Sequence, residues 1–300
     1  AFARNTVRFI YERSKCMKSL TDAFTLINGC EIPCVGFGTW RVQGGETAVN
    51  AVSKALQAGY RHIDTAAYYK NEDSVGEAVR KCGIAREEVL ITSKVWDRGY
   101  KEALSSFDRA LNKLQMDYID LYLIHWPANA KVYKNWQDVN AETWRALVEM
   151  YKKGRAKAIG VSNFLPHHLE PLMGFDVVPM VNQIEYHPGY MQKETVDYCR
   201  EKNIVVEAWS PLGSGRVLSH PKLMEIAQKY GKSVAQICIR WCLQNGTLPL
   251  PRSVTPGRIE ENAKVFDFEI SPEDMRAIND IEREEGFYGW SGLHPDEIGF

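Results

Sequence analysis

From residue 23 onward, short apolar runs alternate eight times with amphipathic stretches, and this alternation limits the possible folds more than any other feature. Residues 35–40 read as a strand and 46–58 as a helix. The pattern repeats as 61–66 then 72–81, 89–96 then 101–114, 118–126 then 141–153, and 156–164 then 166–173. It continues as 180–186 then 193–202, 204–209 then a long helical region through 244, and 248–254 then 258–265. The strand segments are nearly continuous apolar runs (YLI, IVVEAW, AIGV) rather than alternating ones. Strands of that kind are covered on both faces, as in a parallel sheet with crossover helices. Gly59, Gly83, Gly154 and Gly246 each follow a helical stretch, where a terminating glycine belongs. Eight such units over about 250 residues predict an α/β chain closed into a (β/α)8 TIM barrel rather than a doubly wound sheet.

Asn28-Gly29 lies between residues 24–29 and 30–33, which predicts a small hairpin closing the bottom of the barrel. No linker or shift in composition divides the rest, so residues 23–300 are expected to form a single domain. Residues 1–22 are set aside as an extension. Residues 1–18 carry Arg4, Arg8, Arg13, Lys15 and Lys18 against the single acid Glu12. An arginine-rich, acid-poor start fits a transit peptide. The reading preferred is a disordered extension, or residues upstream of a start at Met17.

Charge and cysteine content narrow the function. With 37 basic and 38 acidic residues the net charge is -1, which argues against nucleic acid as a partner. The best apolar run, 119–126, spans eight residues and contains Asp120 and His125, far short of a membrane span. Seven cysteines with no CxxC pair suggest reduced thiols in a cytoplasmic protein. Cys238 and Cys242 lie four apart in a helical stretch and read as half-buried helix residues, not metal ligands. No metal site is expected elsewhere.

In barrels of this kind the chemistry gathers at the C-terminal ends of the strands. Those ends carry Thr39 and Trp40, Asp64, Lys94 and Trp96, His125 and Trp126, Ser162 and Asn163, Gln183, Trp209 and Ser210, and Arg252 and Ser253. Asp64, Lys94 and His125 close three neighbouring strands, and Tyr68 and Tyr69 follow Asp64 in the same loop. A cation about 4 Å from a phenol stabilises its anion by roughly 4 kcal/mol at moderate dielectric, enough to turn tyrosine into a usable acid. His125 would then hydrogen-bond a substrate oxygen. No GxSxG, HExxH or GxGxxG is present, so neither a hydrolase nucleophile nor a Rossmann crevice is expected. Residues 251–258 place Arg252, Ser253, Thr255 and Arg258 at the entrance to the last helix of the repeat. Thr255 or Ser253 is suited to cap that helix, and the arrangement suits a phosphate. The glycine-bearing loop 210–215 would let backbone approach a pyrophosphate.

GFGTW (36–40), GYRHIDTAAYYKNE (59–72), ITSKVW (91–96), DLYLIHWP (120–127), GVSNF (160–164), NQIEYHP (182–188), WSPLGSG (209–215) and PRSVTPGRIEEN (251–262) occur in order. On these motifs the chain resembles the aldo-keto reductase family over nearly all of residues 23–300. The resemblance implies a catalytic tetrad of Asp64, Tyr69, Lys94 and His125, and it alone chooses Tyr69 over Tyr68. It implies an extended nicotinamide cofactor, NADPH rather than NADH. Ser162, Asn163 and Gln183 would hold the carboxamide, and Trp209 would stack on the ring. Thr39 and the loop carrying Ser210, Leu212, Gly213 and Ser214 would line the pyrophosphate. Arg252, Ser253 and Arg258 would take the 2′-phosphate, Val254 and Thr255 would also touch the cofactor, and Glu261 and Asn262 would lie near the adenine. Arg252 stands where the family commonly has lysine.

By the same resemblance Trp40, Trp96, His125 and Trp126 would wall the substrate pocket, and the stretch 131–138, with Tyr133 and Trp136, would form one rim. The tail beyond Glu285 is short for the family, which implies an open site for small dicarbonyls, ketosugars or aromatic aldehydes. The expected reaction is NADPH-dependent reduction of a small carbonyl compound by a monomer. Two other readings compete. One is a cofactor-binding redox-sensing subunit with little turnover. The other is a glycosidase using Asp64 with Glu185 or Glu207, for which Lys94 beside Asp64 is ill suited.

Overall fold

The computed structural model describes residues 17–282 and 291–300. A two-stranded antiparallel hairpin, β1 (Ala23–Thr25) and β2 (Glu31–Pro33), precedes the barrel. Leu26 and Cys30 close its loop, and Gly29 at φ 86° takes the left-handed position. The Asn28-Gly29 signal is therefore met by a three-residue loop, not the two-residue turn such a pair most often makes. Asn28 Nδ2 donates to the Lys157 carbonyl at 3.1 Å, at the N-terminal end of a barrel strand, which seats the hairpin on the bottom of the barrel.

The eight parallel strands are β3 (Phe37–Gly38), β4 (His62–Asp64), β5 (Leu90–Val95), β6 (Ile119–Ile124), β7 (Ala156–Ser162), β8 (Val181–Glu185), β9 (Val205–Trp209) and β10 (Leu248–Leu250). They follow one another in chain order around the sheet. Gly36 N and Gly38 N donate to the carbonyls of Pro249 and Pro251, each at 3.0 Å, and so close the ring. A Cβ on Gly36 would lie 2.5 Å from Leu250 Cδ2 and 2.7 Å from His62 Nδ1, so the closure requires a bare backbone there. The strands β4 and β8 are buried at every position, as two-sided coverage demands.

The helices are α1 (Glu46–Gln57), α2 (Glu72–Lys81), α3 (Tyr100–Leu114), α4 (Trp136–Lys152), α5 (Pro166–Leu169), α6 (Lys193–Glu201), α7 (Pro221–Tyr230), α8 (Val234–Gln244), α9 (Pro256–Ala263) and α10 (Pro272–Asn279). Gly59, Gly83, Gly154 and Gly246 follow helix ends at φ between 71° and 99°, as expected. The long region before residue 244 is two helices, divided at Gly231 (φ 63°). Cys238 and Cys242 are fully buried in α8 rather than half-buried.

Two expectations about the periphery change. Helix α4 begins at Trp136, whose ring packs against His168 at 5.2 Å, so the stretch 131–138 does not line the main cleft. Of the extension 1–22, residues 1–16 lie outside the described residues, but 17–22 pack on the barrel. Met17 is buried and its carbonyl accepts Arg240 Nη1 at 3.1 Å, while Cys34 N donates to the Asp22 carbonyl.

Candidate active site

The strand ends converge as the repeat requires. Lys94, fully buried on β5, directs its ammonium to Asp64 Oδ2 at 2.6 Å, the Thr65 carbonyl at 2.9 Å and the Tyr69 hydroxyl at 3.3 Å. Three acceptors complete the donor set of a lysine. A buried Asn71 builds the loop that carries the phenol. Its Nδ2 donates to the carbonyls of Thr39 and Val42, and its Oδ1 accepts the Thr65 hydroxyl at 2.7 Å. In the sequence Asn71 stands within the GYRHIDTAAYYKNE motif, with nothing local to single it out. Tyr68, by contrast, is 47% exposed and stacks on Trp96 at 4.1 Å. The phenol that meets the lysine is therefore Tyr69, on geometry alone.

The electrostatics depart from the simple expectation. Burial pushes the Tyr69 phenol well above its ordinary value, and the Asp64 charge adds to that. The ammonium does not lower it because Asp64, on the same nitrogen, cancels most of its charge, so desolvation prevails. Tyr69 thus holds its proton throughout the neutral range, and the ammonium already lies where a phenolate would form.

Burial, then the charges of Lys94 and Arg98, hold His125 well below its ordinary value, so its ring is neutral. Its Nδ1 is buried without a hydrogen-bond partner among the described residues. An orphaned acceptor is cheaper to bury than an orphaned N–H, which places the hydrogen on Nε2, the nitrogen left for the cleft.

Beneath these groups lies a polar layer. Gln183 Nε2 donates to Asp64 Oδ2 at 2.9 Å and to Glu207 Oε2 at 2.7 Å. His62 Nε2 lies 2.9 Å from the Thr92 hydroxyl and 3.8 Å from Glu207 Oε1. Burial, then the Asp64 charge, pushes the Glu207 carboxyl up to about 8. Burial, then Lys94, pulls His62 down to about 3. Two neutral groups therefore face each other inside the barrel.

A cleft of about 820 Å³ runs from these residues across the barrel mouth. Asp64, Tyr69 and His125 stand at one end, and Arg252, Ser253, Val254, Thr255, Arg258, Glu261 and Asn262 at the other. Ser162, Asn163, Gln183, Trp209, Ser210, Leu212 and Ser214 also line it. Of the expected residues, Thr39, Gly213 and the fully buried Lys94 do not line it. Thr39 is fully buried, its hydroxyl donating to the Asp64 carbonyl at 2.8 Å, and the loop exposes Pro211 and Gly215 instead of Gly213. Asn163 Nδ2 donates to the His125 carbonyl and Ser162 Oγ, and its Oδ1 accepts Trp209 Nε1. Ser162 Oγ donates to the Gln183 carbonyl. At the far end Ser253 Oγ accepts the Thr255 amide at 3.0 Å, and Pro256 opens α9; the Thr255 side chain makes no capping bond.

The cleft suits an extended nicotinamide dinucleotide. Loop residues Ser210, Ser214 and Gly215 have positive φ, the backbone bends tightly along it, and arginines gather at one end. The side-chain oxygen of Gln183 has no partner among the described residues, which leaves an acceptor for a carboxamide. Arg41, which the sequence reading passed over although it follows Trp40 directly, also lines the cleft, and its carbonyl accepts Arg252 Nη2.

Trp40, Trp96 and Trp126 line the cleft, Trp40 4.9 Å from Tyr69 and Trp96 5.3 Å from His125. Phe300 joins them, 5.0 Å from Trp96 and 5.8 Å from Trp126, with Ser291 and Leu293 beside it. Residues 291–300 thus lie over this part of the cleft instead of leaving it open. Glu185 helps hold it, accepting the Ser291 hydroxyl at 2.9 Å, and His167 and His168 both meet Asp296. No signal in the local sequence announces these contacts.

Comparison with known proteins agrees with the geometry. Residues 34–283 match the profile of the Aldo/keto reductase family. A Bacillus subtilis protein named glyoxal reductase is 49% identical over 285 residues, covering 94% of this chain and 99% of its own. An Escherichia coli protein named methylglyoxal reductase DkgA is 40% identical over 277 residues, covering 91% and 97%. The crystal structure of a Gox0644 mutant in complex with NADPH superposes with a TM-score of 0.85 at 39% identity, covering 93% of this chain and 99% of that one.

Proposed function

The chain belongs to the Aldo/keto reductase family, and we propose that it reduces small dicarbonyls and related aldehydes to alcohols with NADPH as the preferred reductant. It is an NAD(P)H-dependent oxidoreductase. The observation that carries the reading is the Lys94 ammonium, bonded at once to Asp64 and to the Tyr69 hydroxyl. The names of the relatives support the dicarbonyl substrate, and the paired arginines at the far end of the cleft support the phosphorylated cofactor.

When bound, the reduced nicotinamide supplies the hydride. Ser162, Gln183 and Trp209 orient the ring, and Arg252, Ser253 and Arg258 take the 2′-phosphate. The substrate oxygen sits between the Tyr69 hydroxyl and His125 Nε2–H. As negative charge develops on that oxygen, His125 steadies it and Tyr69 gives up its proton. Lys94 meets the resulting phenolate, and Asp64 holds Lys94 in place. The tryptophans and Phe300 exclude water from the reacting atoms. The aromatic wall favours small planar carbonyl compounds.

We read the protein as a monomer in the cytoplasm, supported by balanced charge and free thiols. Among the described residues no helix is long and apolar enough to cross a membrane. The test is kcat/KM for methylglyoxal, glyoxal, a ketosugar and an aromatic aldehyde, each with NADPH and NADH. Tyr69→Phe serves as control: NADPH still quenches the protein's fluorescence while kcat falls at least about a hundredfold. Retained turnover refutes the assignment of the proton donor.

A further inference from the structure

We propose that Glu207, inside the barrel on β9 and outside the cleft, is a positioning residue that fixes the side-chain amide of Gln183 with its carbonyl oxygen toward the cofactor. The proposal rests on the reading that a nicotinamide carboxamide lies against Gln183.

One atom of the Gln183 amide touches two carboxyl groups, 2.9 Å from Asp64 Oδ2 and 2.7 Å from Glu207 Oε2. Asp64 is ion-paired with Lys94 and only accepts hydrogen bonds. The atom facing it must therefore be nitrogen; the reversed amide would set two acceptors against each other. An amide nitrogen carries two hydrogens. Asp64 takes one and Glu207 the other. The oxygen is left pointing away from both carboxyls, into the cleft that Gln183 lines. Position 183 thus accepts a hydrogen bond from the ligand and offers it none.

Glu207 is fully buried and reaches the cofactor only through Gln183. The titratable groups around it are His62 and Asp64 on β4 and Lys94 on β5. Without Glu207 one amide hydrogen is orphaned in the barrel core, and the amide is free to rotate. The loss corresponds to one ordinary hydrogen bond, about three- to tenfold in affinity.

The experiment is fluorescence-quenching titration of the whole protein with NADPH and with its reduced 3-acetylpyridine analogue, which has no amide hydrogen to donate. The variants are Glu207→Ala and Glu207→Gln, and Glu207→Met is read in the same way as Glu207→Ala where the latter does not fold. Glu207→Ala is expected to weaken NADPH about three- to tenfold and to move the analogue less than about twofold. Glu207→Gln, which keeps an acceptor oxygen, stays near the parent. Equal weakening of both ligands, or unchanged NADPH affinity in Glu207→Ala, overturns the proposal. If the parent binds both ligands equally well, the carboxamide does not lie on Gln183, and the reading beneath the proposal fails first.

Discussion

Replacing Lys94 by methionine separates the structural part of the Lys94–Asp64 ion pair from its proposed chemical part. The ammonium and Asp64 are both buried, with side chains 0% and 4% exposed. Removing the cation leaves the carboxylate in the barrel with the Gln183 amide as its one side-chain partner among the described residues. Breaking a buried pair by deleting one member costs roughly 3–5 kcal/mol, because an uncompensated charge remains. For a domain of this size that lowers Tm by roughly 6–20 °C. The double variant Lys94→Met with Asp64→Asn removes the orphaned charge and regains most of the loss. Activity does not return, because the phenolate of Tyr69 then has no cation to meet it. Thermal unfolding of the three variants, read beside kcat for methylglyoxal, checks both halves. A double variant no more stable than Lys94→Met refutes the claim that the pair is held by compensation of buried charge.

Gly160→Ala places a Cβ 2.4 Å from the Val181 carbonyl and 2.9 Å from Leu123 Cδ2 between neighbouring strands. Urea unfolding should show a loss of roughly 1–3 kcal/mol or more, since backbone yields poorly. Glu207 rises from 4.5 to about 8 on folding, so the folded chain holds a proton that the unfolded chain releases. Stability therefore falls as pH rises through that window, and Tm between pH 6 and 9 should decline less in Glu207→Gln; parallel curves contradict this. His62 acts in the opposite sense at acid pH, its neutral folded form gaining stability as pH rises from about 3 to 6.5. Arg252→Ala should raise KM for NADPH about tenfold or more and leave NADH unchanged, as steady-state kinetics with both cofactors will show.

The sequence by itself determined the barrel, because the signals that specify it are local. Continuous apolar strands need cover on both faces, helices repeat at their own period, and glycines end them at a left-handed turn. It also determined which polar and aromatic residues gather at the barrel mouth, since eight parallel strands point their C-terminal ends to one face whatever the packing details. Physical reasoning on the residues left Tyr68 and Tyr69 open, and only the resemblance to relatives divided them. The tertiary structure divides them by contact: one phenol meets Lys94, the other lies on Trp96. It also reversed the expected shift of Tyr69, because a pKa answers to the net charge and solvent around a group, and Asp64 cancels the lysine. Phe300 over the tryptophans, Asn71 bracing the loop of Tyr69 and the contact of Glu207 with the Gln183 amide were all beyond the reach of pattern. Each joins residues from distant elements of the chain, and such meetings exist only once the barrel has closed.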